Sequence, residues 1–503
     1  MSETKKEQVP MNEVPMEELN ISHGNWVESI MNVQGSSTSN QSETKKPRRI
    51  QRVSEMLRET KDFEKYCAPR VVSIGPYHCK VRKEGYYQNH KLQLVQKLKV
   101  KMANKFVSNN QQKLEGLYKK LFEKIKEVRE CYEENSTKDF SEEALARMML
   151  MDGCFILYYI KSVIEDEKKE EENEKELEMK SHHTAFVQQD LFLLENQLPF
   201  LVLDVLMNNS KTPKDEWMKK INMFIDHNVM APPQNQKSKQ RCCNFMMQAR
   251  YKEEKLVGDM EADASSKKLD NKVEEVISPA HLLELLHQKL VGDMEAETCH
   301  PKHYTFRNVK ELTEVGIHLK PSETNCLTKI SYESCGMYGS LILPPITVDE
   351  STKAKFLNLI AYEMCPDAPN DFQWVTSYVC FLDSLIDHPE DVKLLRSAKI
   401  LNNCLGSDDE VADLFNQIAI DLVPHPCAYS FVKGEIQKHY DDKGKTYMAQ
   451  LKHQYFKNPW TVFALAGAIL ALFLSAVQAY FQVWSIPSEC DGLCKHIRIV
   501  EHL

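Results

Sequence analysis

Apolar side chains take on a helical period soon after residue 50. Arg52 to Tyr66 reads as helix and is broken near Pro69. Val71, Val72, Ser73 and Ile74 then form a short extended segment, closed by a Gly75-Pro76 turn. Asn89 to about Glu133 is amphipathic and rich in lysine, a long helix or a helix pair. Ser141 is placed to cap the next helix, with Glu142 and Glu143 in its first turn. That helix is apolar on nearly every face, through Leu145, Met148, Met149, Leu150, Phe155, Ile156 and Ile160, so it should be buried. A second helix of the same character is predicted from Asp190 to Leu206. Pro199 should kink it, because proline lacks an N–H and collides with the Glu195 carbonyl. Short apolar runs at Thr328–Tyr332, Ser340–Leu343 and Ile346–Val348, set between Gly and Pro, predict a small antiparallel sheet. Helical spacing then returns. Ser407 and Glu410 make a capping box ahead of Val411, Leu414, Phe415, Ile418 and Leu422.

The last apolar stretch differs in kind. From Asn458 to Ser488 there is no charged residue. Val462 to Trp484 holds 23 residues, which as a helix is about 34 Å long, enough to cross a bilayer core. Trp460 and Trp484 sit where interfacial aromatics belong. The fold class is therefore mainly α with a small antiparallel β-sheet (α+β), plus one C-terminal transmembrane helix spanning 459–484. Lys438, Lys443, Lys445, Lys452 and Lys457 precede the span, while only Lys495 and Arg498 follow it. The positive-inside rule then places the bulk of the chain in the cytoplasm. With no apolar signal segment at its start, the chain is expected to be single-pass and tail-anchored, with only the short tail 485–503 on the far side. There Cys490 and Cys494 could bridge, or hold zinc with His496, although that spacing fits no common site. Gly467, Ala471, Ser475 and Ala479 recur every four residues and would let a second copy of the helix approach closely. Chance spacing in an alanine-rich helix is the rival account.

Composition narrows the function classes. The chain has 503 residues, 42% hydrophobic and 27% charged, which is globular material rather than disorder. A net charge of −9 argues against a nucleic-acid binder. Fifteen scattered cysteines do not make a disulfide scaffold. Residues 1–47 have few aromatics and a Gly-Ser-Ser-Thr-Ser-Asn-Gln-Ser run, and read as a disordered leader. It closes on the basic cluster Lys45, Lys46, Pro47, Arg48 and Arg49, read as a solvated charge run rather than a nuclear or lipid signal. The body, 48–456, carries charged or polar inserts near 165–180 and 234–278. The octapeptide Lys255-Leu-Val-Gly-Asp-Met-Glu-Ala262 recurs at Lys289, a local duplication rather than a repeat array.

Chemistry is sparse. Asp152 falls in the most apolar stripe of its helix, and a carboxylate there must find a donor or stay protonated. Glu195, Asn196 and Gln197 sit in the second apolar stretch. These groups are expected to form a buried network joining the two helices. The preferred reading makes them satisfied core polars that fix register. The rival makes Asp152 and Glu195 a paired-carboxylate acid/base site, with His78 as a further candidate. No dinucleotide-type glycine turn, nucleophile elbow or His-Glu-x-x-His helix occurs. Gly444-Lys445-Thr446 fails as a phosphate loop because His439 stands where the first glycine is needed. Cys299, His300 and His303 make one Cys/His cluster without a partner pair, so no metal or other cofactor is expected. Cys365 and Cys404 are read as buried packing residues. The sequons at Asn20, Asn40, Asn135 and Asn208 are what chance supplies.

Several segments in order resemble one plant family. They are Val71-Val-Ser-Ile-Gly-Pro-Tyr-His78, Met149-Leu-Met-Asp-Gly-Cys-Phe155, Asp190-Leu-Phe-Leu-Leu-Glu-Asn-Gln-Leu-Pro-Phe200 and Asn358-Leu-Ile-Ala-Tyr-Glu363. Ile400-Leu-Asn-Asn-Cys-Leu-Gly-Ser407 and Tyr455-Phe-Lys-Asn-Pro-Trp460 continue the series. The family is domain of unknown function 247, a set of land-plant membrane proteins. The resemblance runs from about residue 50 to 484. It implies a helical body with one C-terminal membrane helix and no established enzyme activity. Some grass relatives act as pollen-side determinants of self-incompatibility, so recognition or signalling at the plasma membrane is the family-level expectation. The long inserts depart from the shorter family pattern.

Overall fold

The structure, a computed structural model, describes residues 48–60, 63–82, 85–88, 93–109, 114–166, 181–231, 279–292, 307–368, 373–442, 444 and 459–484. All belong to the unit Arg48–Leu503. The expected leader 1–47, the inserts beyond Asp166 and over 234–278, and the tail 485–503 lie outside the described residues.

Helices dominate. In chain order they are α1 (Glu55–Arg58), α2 (Phe63–Tyr66), α3 (Gln93–Asn109), α4 (Leu114–Glu123), α5 (Ile125–Glu130), α6 (Glu142–Asp166), α7 (Ser181–Asp190), α8 (Phe200–Asn208) and α9 (Lys214–Asn228). After them come α10 (Leu282–Val291), α11 (Val309–Glu314), α12 (Thr352–Glu363), α13 (Trp374–Leu385), α14 (Pro389–Ser397), α15 (Asp408–Ile418), α16 (Ser430–Asp441) and α17 (Pro459–Val483). The predicted helix start at Ser141 is present: its Oγ accepts from the Ala144 N–H at 3.2 Å. Ser407 Oγ likewise accepts from Glu410 N, while the Glu410 carboxylate reaches Gly406 N rather than the cap's own N–H.

Helix α6 is the centre. It packs against α3, α4, α5, α8 and α9. Phe155, Tyr159, Phe224 and Phe192 follow one another in ring contact, with centroids 5.8 to 6.1 Å apart. Each fully buried ring or aliphatic chain of this kind contributes about 1.5–3 kcal/mol. Gly153 permits the close approach of α8. A Cβ there would meet Leu206 Cδ1 at 2.5 Å and Val202 Cγ1 at 3.1 Å. The glycine of the Met-Asp-Gly-Cys segment is thus a packing requirement.

The helix expected over Asp190 to Leu206 is two helices. α7 ends at Asp190, a 3-10 turn covers Leu194–Asn196, and α8 starts at Phe200 with Pro199 as its cap residue. The physical reason is local competition for backbone groups. Gln197 Nε2 donates to the carbonyls of Leu191 and Leu193, and Asn196 Nδ2 to that of Asp190, where helical N–H groups would otherwise bond.

The expectation of one antiparallel sheet is also corrected. The strands are β1 (Cys79–Arg82), β2 (Gly85–Gln88), β3 (Ile317–Pro321), β4 (Ser331–Cys335), β5 (Tyr338–Leu343), β6 (Ile346–Val348) and β7 (Leu401–Asn403). β4 and β5 pair antiparallel, as expected, with Cys335 opposite Tyr338, although β4 begins at Ser331 rather than Thr328. β3 joins the other side of β5 in parallel, so the sheet is mixed. Pro321, with no N–H to give, lies on that edge strand. β6 leaves the sheet and pairs in parallel with β7.

α17 is a 25-residue helix from Pro459 to Val483. Its segment Phe463–Val483 is long and apolar enough to cross a membrane, and none of its most apolar window is buried against the rest of the protein. Ser475 Oγ satisfies itself on the Ala471 carbonyl at 2.8 Å.

Candidate functional site

Val71 to Ile74, the segment expected to be extended, lies in no helix and no sheet, and Gly75 turns the chain after it. Buried backbone groups must still find partners. Here side chains from other motifs supply them. The Asp190 carboxylate accepts from the N–H groups of Arg70, Val71 and Val72 at 3.0, 2.7 and 2.9 Å. Asn196 takes the Ile74 N–H at 2.7 Å and donates to the Val72 carbonyl. Asp152 Oδ2 accepts from Gly75 N at 2.9 Å, and Lys99 Nζ donates to the Ser73 carbonyl. Gly75 itself has φ +68°, and a Cβ would meet Tyr132 Oη at 2.9 Å and the Gln197 carbonyl at 3.0 Å. The first, second and third family-like segments therefore meet in one polar cluster inside the core.

Asp152 finds its donor in Lys99, at 2.5 Å, with both side chains almost wholly buried. Burial raises the Asp152 pKa, and the Lys99 ammonium and the Gly75 N–H pull it back. Burial likewise lifts Asp190 from the ordinary aspartate value to about 6, against the pull of its three N–H partners. Lys99 went unsingled in the sequence. Its helical phase carried the signal, since Met102, Ala103 and Phe106 lie on the same buried face of α3.

Glu195 serves a different stretch of chain. Its Oε1 accepts from Val53 N at 2.9 Å and from the Arg58 guanidinium. Asp152 is held by Gly75 and Lys99, and Glu195 by Val53 and Arg58. His78 does lie beside Glu195, with Nε2 at 3.8 Å from Oε2, beyond hydrogen-bond range. That nitrogen is buried and has no hydrogen-bond partner among the described residues. Burial, with the charges of Arg58 and Arg52, lowers the His78 pKa to about 4, so the ring is neutral at physiological pH.

The remaining motif polars are similarly occupied. Gln197 Oε1 accepts from Leu283 N at 3.0 Å, tying α10 to the central helices. Asn358 Oδ1 accepts from Leu194 N, and its Nδ2 donates to Tyr66 and Ala354 carbonyls. A second polar node went unpredicted. Glu363, at the end of α12, accepts from Val375 N, Thr376 N and Thr376 Oγ1, each at 2.8 Å, and contacts His287 Nε2 at 2.8 Å. Next to it Tyr362 packs edge-on against His281 and His287. His281 Nδ1 caps α10 by accepting from Glu284 N, and Glu284 pairs with Arg48. Burial, with Arg48 adding repulsion, lowers His281 to about 3.

Other candidates fall elsewhere. Cys365 packs on the core and donates to the Ala361 carbonyl, as expected of a packing thiol. Cys404 is exposed, contrary to expectation, because it follows the short edge pairing of β6 with β7. Cys299, His300, His303, Cys490, Cys494, His496 and the first octapeptide copy lie outside the described residues. The second copy begins inside α10, whose Lys289, Leu290 and Val291 close that helix before Gly292. Among the described residues no group of His, Cys, Asp and Glu is arranged to hold a metal ion.

Comparison with known proteins fits this arrangement. The model of the DUF247 family, described as plant protein of unknown function, matches residues 50–474. The UPF0481 protein At3g47200 of Arabidopsis thaliana is 26% identical over 434 residues, covering 84% of each chain. The putative UPF0481 protein At3g02645 of the same plant is 27% identical over 183 residues, covering 36% of this chain and 34% of that one. No solved structure matches. With the family match extending over most of its length, and its motif residues building one core, the chain belongs to the DUF247 family of plant proteins.

Proposed function

We propose that the chain is a membrane-anchored recognition protein, held in a bilayer by α17 and acting through its helical body by binding other proteins rather than by turnover. The observation that carries this reading is the apolar helix itself. A span of 21 residues with mean hydropathy 1.9 and no burial in its most apolar window asks for lipid around it. The body supports the binding half. Asp152, Asp190, Glu195 and Glu363 spend their oxygens on backbone N–H groups, so they stabilise the chain's own path. A general acid or base instead needs a lone pair or proton facing substrate. The excess of lysines before the span supports a cytoplasmic body. Membership of a family in which some grass proteins act as self-incompatibility determinants is what supports recognition or signalling at the plasma membrane.

A second reading rests on one observation. His78 is a neutral, buried imidazole whose Nε2 lacks a hydrogen bond among the described residues and faces Glu195. In an enzyme that nitrogen would be the base. Proximity labelling in plant cells tests the proposal. The full chain should label integral membrane neighbours, and a chain lacking Pro459–Val483 should lose them. Identical neighbour sets would overturn the anchor. A His78→Gln chain that folds and keeps its neighbours but loses biological function would shift the assignment to catalysis.

A further inference from the structure

Exposed large apolar side chains are unevenly placed on the body. Among its described residues, Ile420, Val423 and Phe431 are 63%, 77% and 65% exposed, and Met56 at 70% is the other of that degree. Three of the four thus fall within one stretch, the loop between α15 and α16 and the first turn of α16. Soluble surfaces scatter such residues singly.

The loop is not slack. Asp421 and Tyr429 hold φ of 63° and 57°, a left-handed conformation that non-glycine residues adopt only when surroundings enforce it. Tyr429 is buried, its ring against Trp374 and Phe381, and its hydroxyl donates to the Leu327 carbonyl at 3.0 Å. His425 N donates to Ser377 Oγ at 3.0 Å. The body therefore holds the apolar side chains out in solvent.

Position and charge identify what covers them. α16 is the last described helix before α17, and Phe431 precedes Pro459 by 28 residues. After the acids Glu435, Asp441 and Asp442, the sequence next to the span, Lys443 to Asn458, has four lysines and no acid, in a chain whose net charge is −9. A basic stretch next to a membrane helix is drawn to anionic headgroups. We propose that this loop is a bilayer-contact surface: Ile420, Val423 and Phe431 insert at the headgroup level of the anionic leaflet that faces the body. Asp421 between them sets the depth, since a carboxylate does not enter the hydrocarbon. The inference rests on the anchor reading above.

Photo-crosslinking of the full chain in vesicles tests it. p-Benzoylphenylalanine is placed singly at Val423, Phe431, Leu472 in α17 and Met337 at the β4–β5 turn, in phosphatidylcholine with or without phosphatidylserine. The expected result is phospholipid adducts at Leu472, Val423 and Phe431 and none at Met337. The yield at Val423 and Phe431 should rise with phosphatidylserine and fall with salt. Adducts at Leu472 with none at Val423 and Phe431 would overturn the contact and leave the anchor standing. So would a protein–protein adduct at Val423, which would mark a second copy, or equal lipid labelling of Met337. Absence of lipid adducts at Leu472 would overturn the anchor and this surface together.

Discussion

Lys99→Met is the most telling single change to the core. Lys99 Nζ lies 2.5 Å from Asp152 Oδ1 and also serves the Ser73 carbonyl, in a site closed to water. Removing the ammonium leaves a buried carboxylate unpaired, which costs about 3–5 kcal/mol. Loss of the charged hydrogen bond to the Ser73 carbonyl adds roughly 1.5–3 kcal/mol. The sum is comparable with the whole stability of many domains, about 5–15 kcal/mol. Lys99→Met with Asp152→Leu removes both charges and breaks the bonds to the Gly75 N–H and the Ser73 carbonyl, a smaller loss of roughly 2–4 kcal/mol. The double variant should therefore be more stable than either single one. Burial already raises the Asp152 pKa and Lys99 restrains it, so the single variant should recover part of its loss as pH falls and Asp152 takes a proton. Urea unfolding of the reconstituted full chain, followed by circular dichroism at two pH values, measures all three effects through the midpoint. A Lys99→Met midpoint equal to that of the parent, or single losses that simply add in the double variant, would refute the reasoning.

Asp190 gives a second test. Its folded-state pKa of about 6 lies above the ordinary value of 3.8, so the stability it contributes is fully present below pH about 4 and is lost as pH rises through about 6. At 1.36 kcal/mol per unit this is on the order of 3 kcal/mol. Asp190→Asn should remove that slope, and parallel stability-against-pH curves for the two proteins would exclude it. Gly75→Ala should lower stability by roughly 2–4 kcal/mol through its positive φ and its contacts with Tyr132 and Gln197. Gly116→Ala, in α4 with open space around it, should raise stability by about 0.5–1 kcal/mol. Thermal unfolding of the pair checks both signs.

Much of this architecture was legible in the chain because apolar period and caps are local signals. Ser141 and Ser407 cap their helices as predicted, and the all-round apolar α6 is buried, though Glu410 does not complete the capping box. What the pattern hid is non-local or concerns competition for backbone groups. β6 finds its partner β7 across α12, α13 and α14, and no periodicity in either triplet records that. The run from Leu191 to Phe200 has helical composition, but Asn196 and Gln197 cap the carbonyls of their own neighbourhood and stop the helix. Asp152 announced its need for a donor, while the donor stood among several lysines of α3 and was marked only by its phase with Met102 and Phe106. The polar cluster was foreseen as joining two helices. Its main client proved to be the Val71–Gly75 backbone, whose lack of a strand partner is invisible in sequence.

The claim on which the functional account depends is that α17 resides in lipid. Alkaline carbonate extraction of plant membranes tests it most directly, on the full chain and on a chain ending before Pro459. The account predicts that the full chain stays in the pellet and that the shortened, still folded chain is released. Release of both, or retention of both, would contradict it.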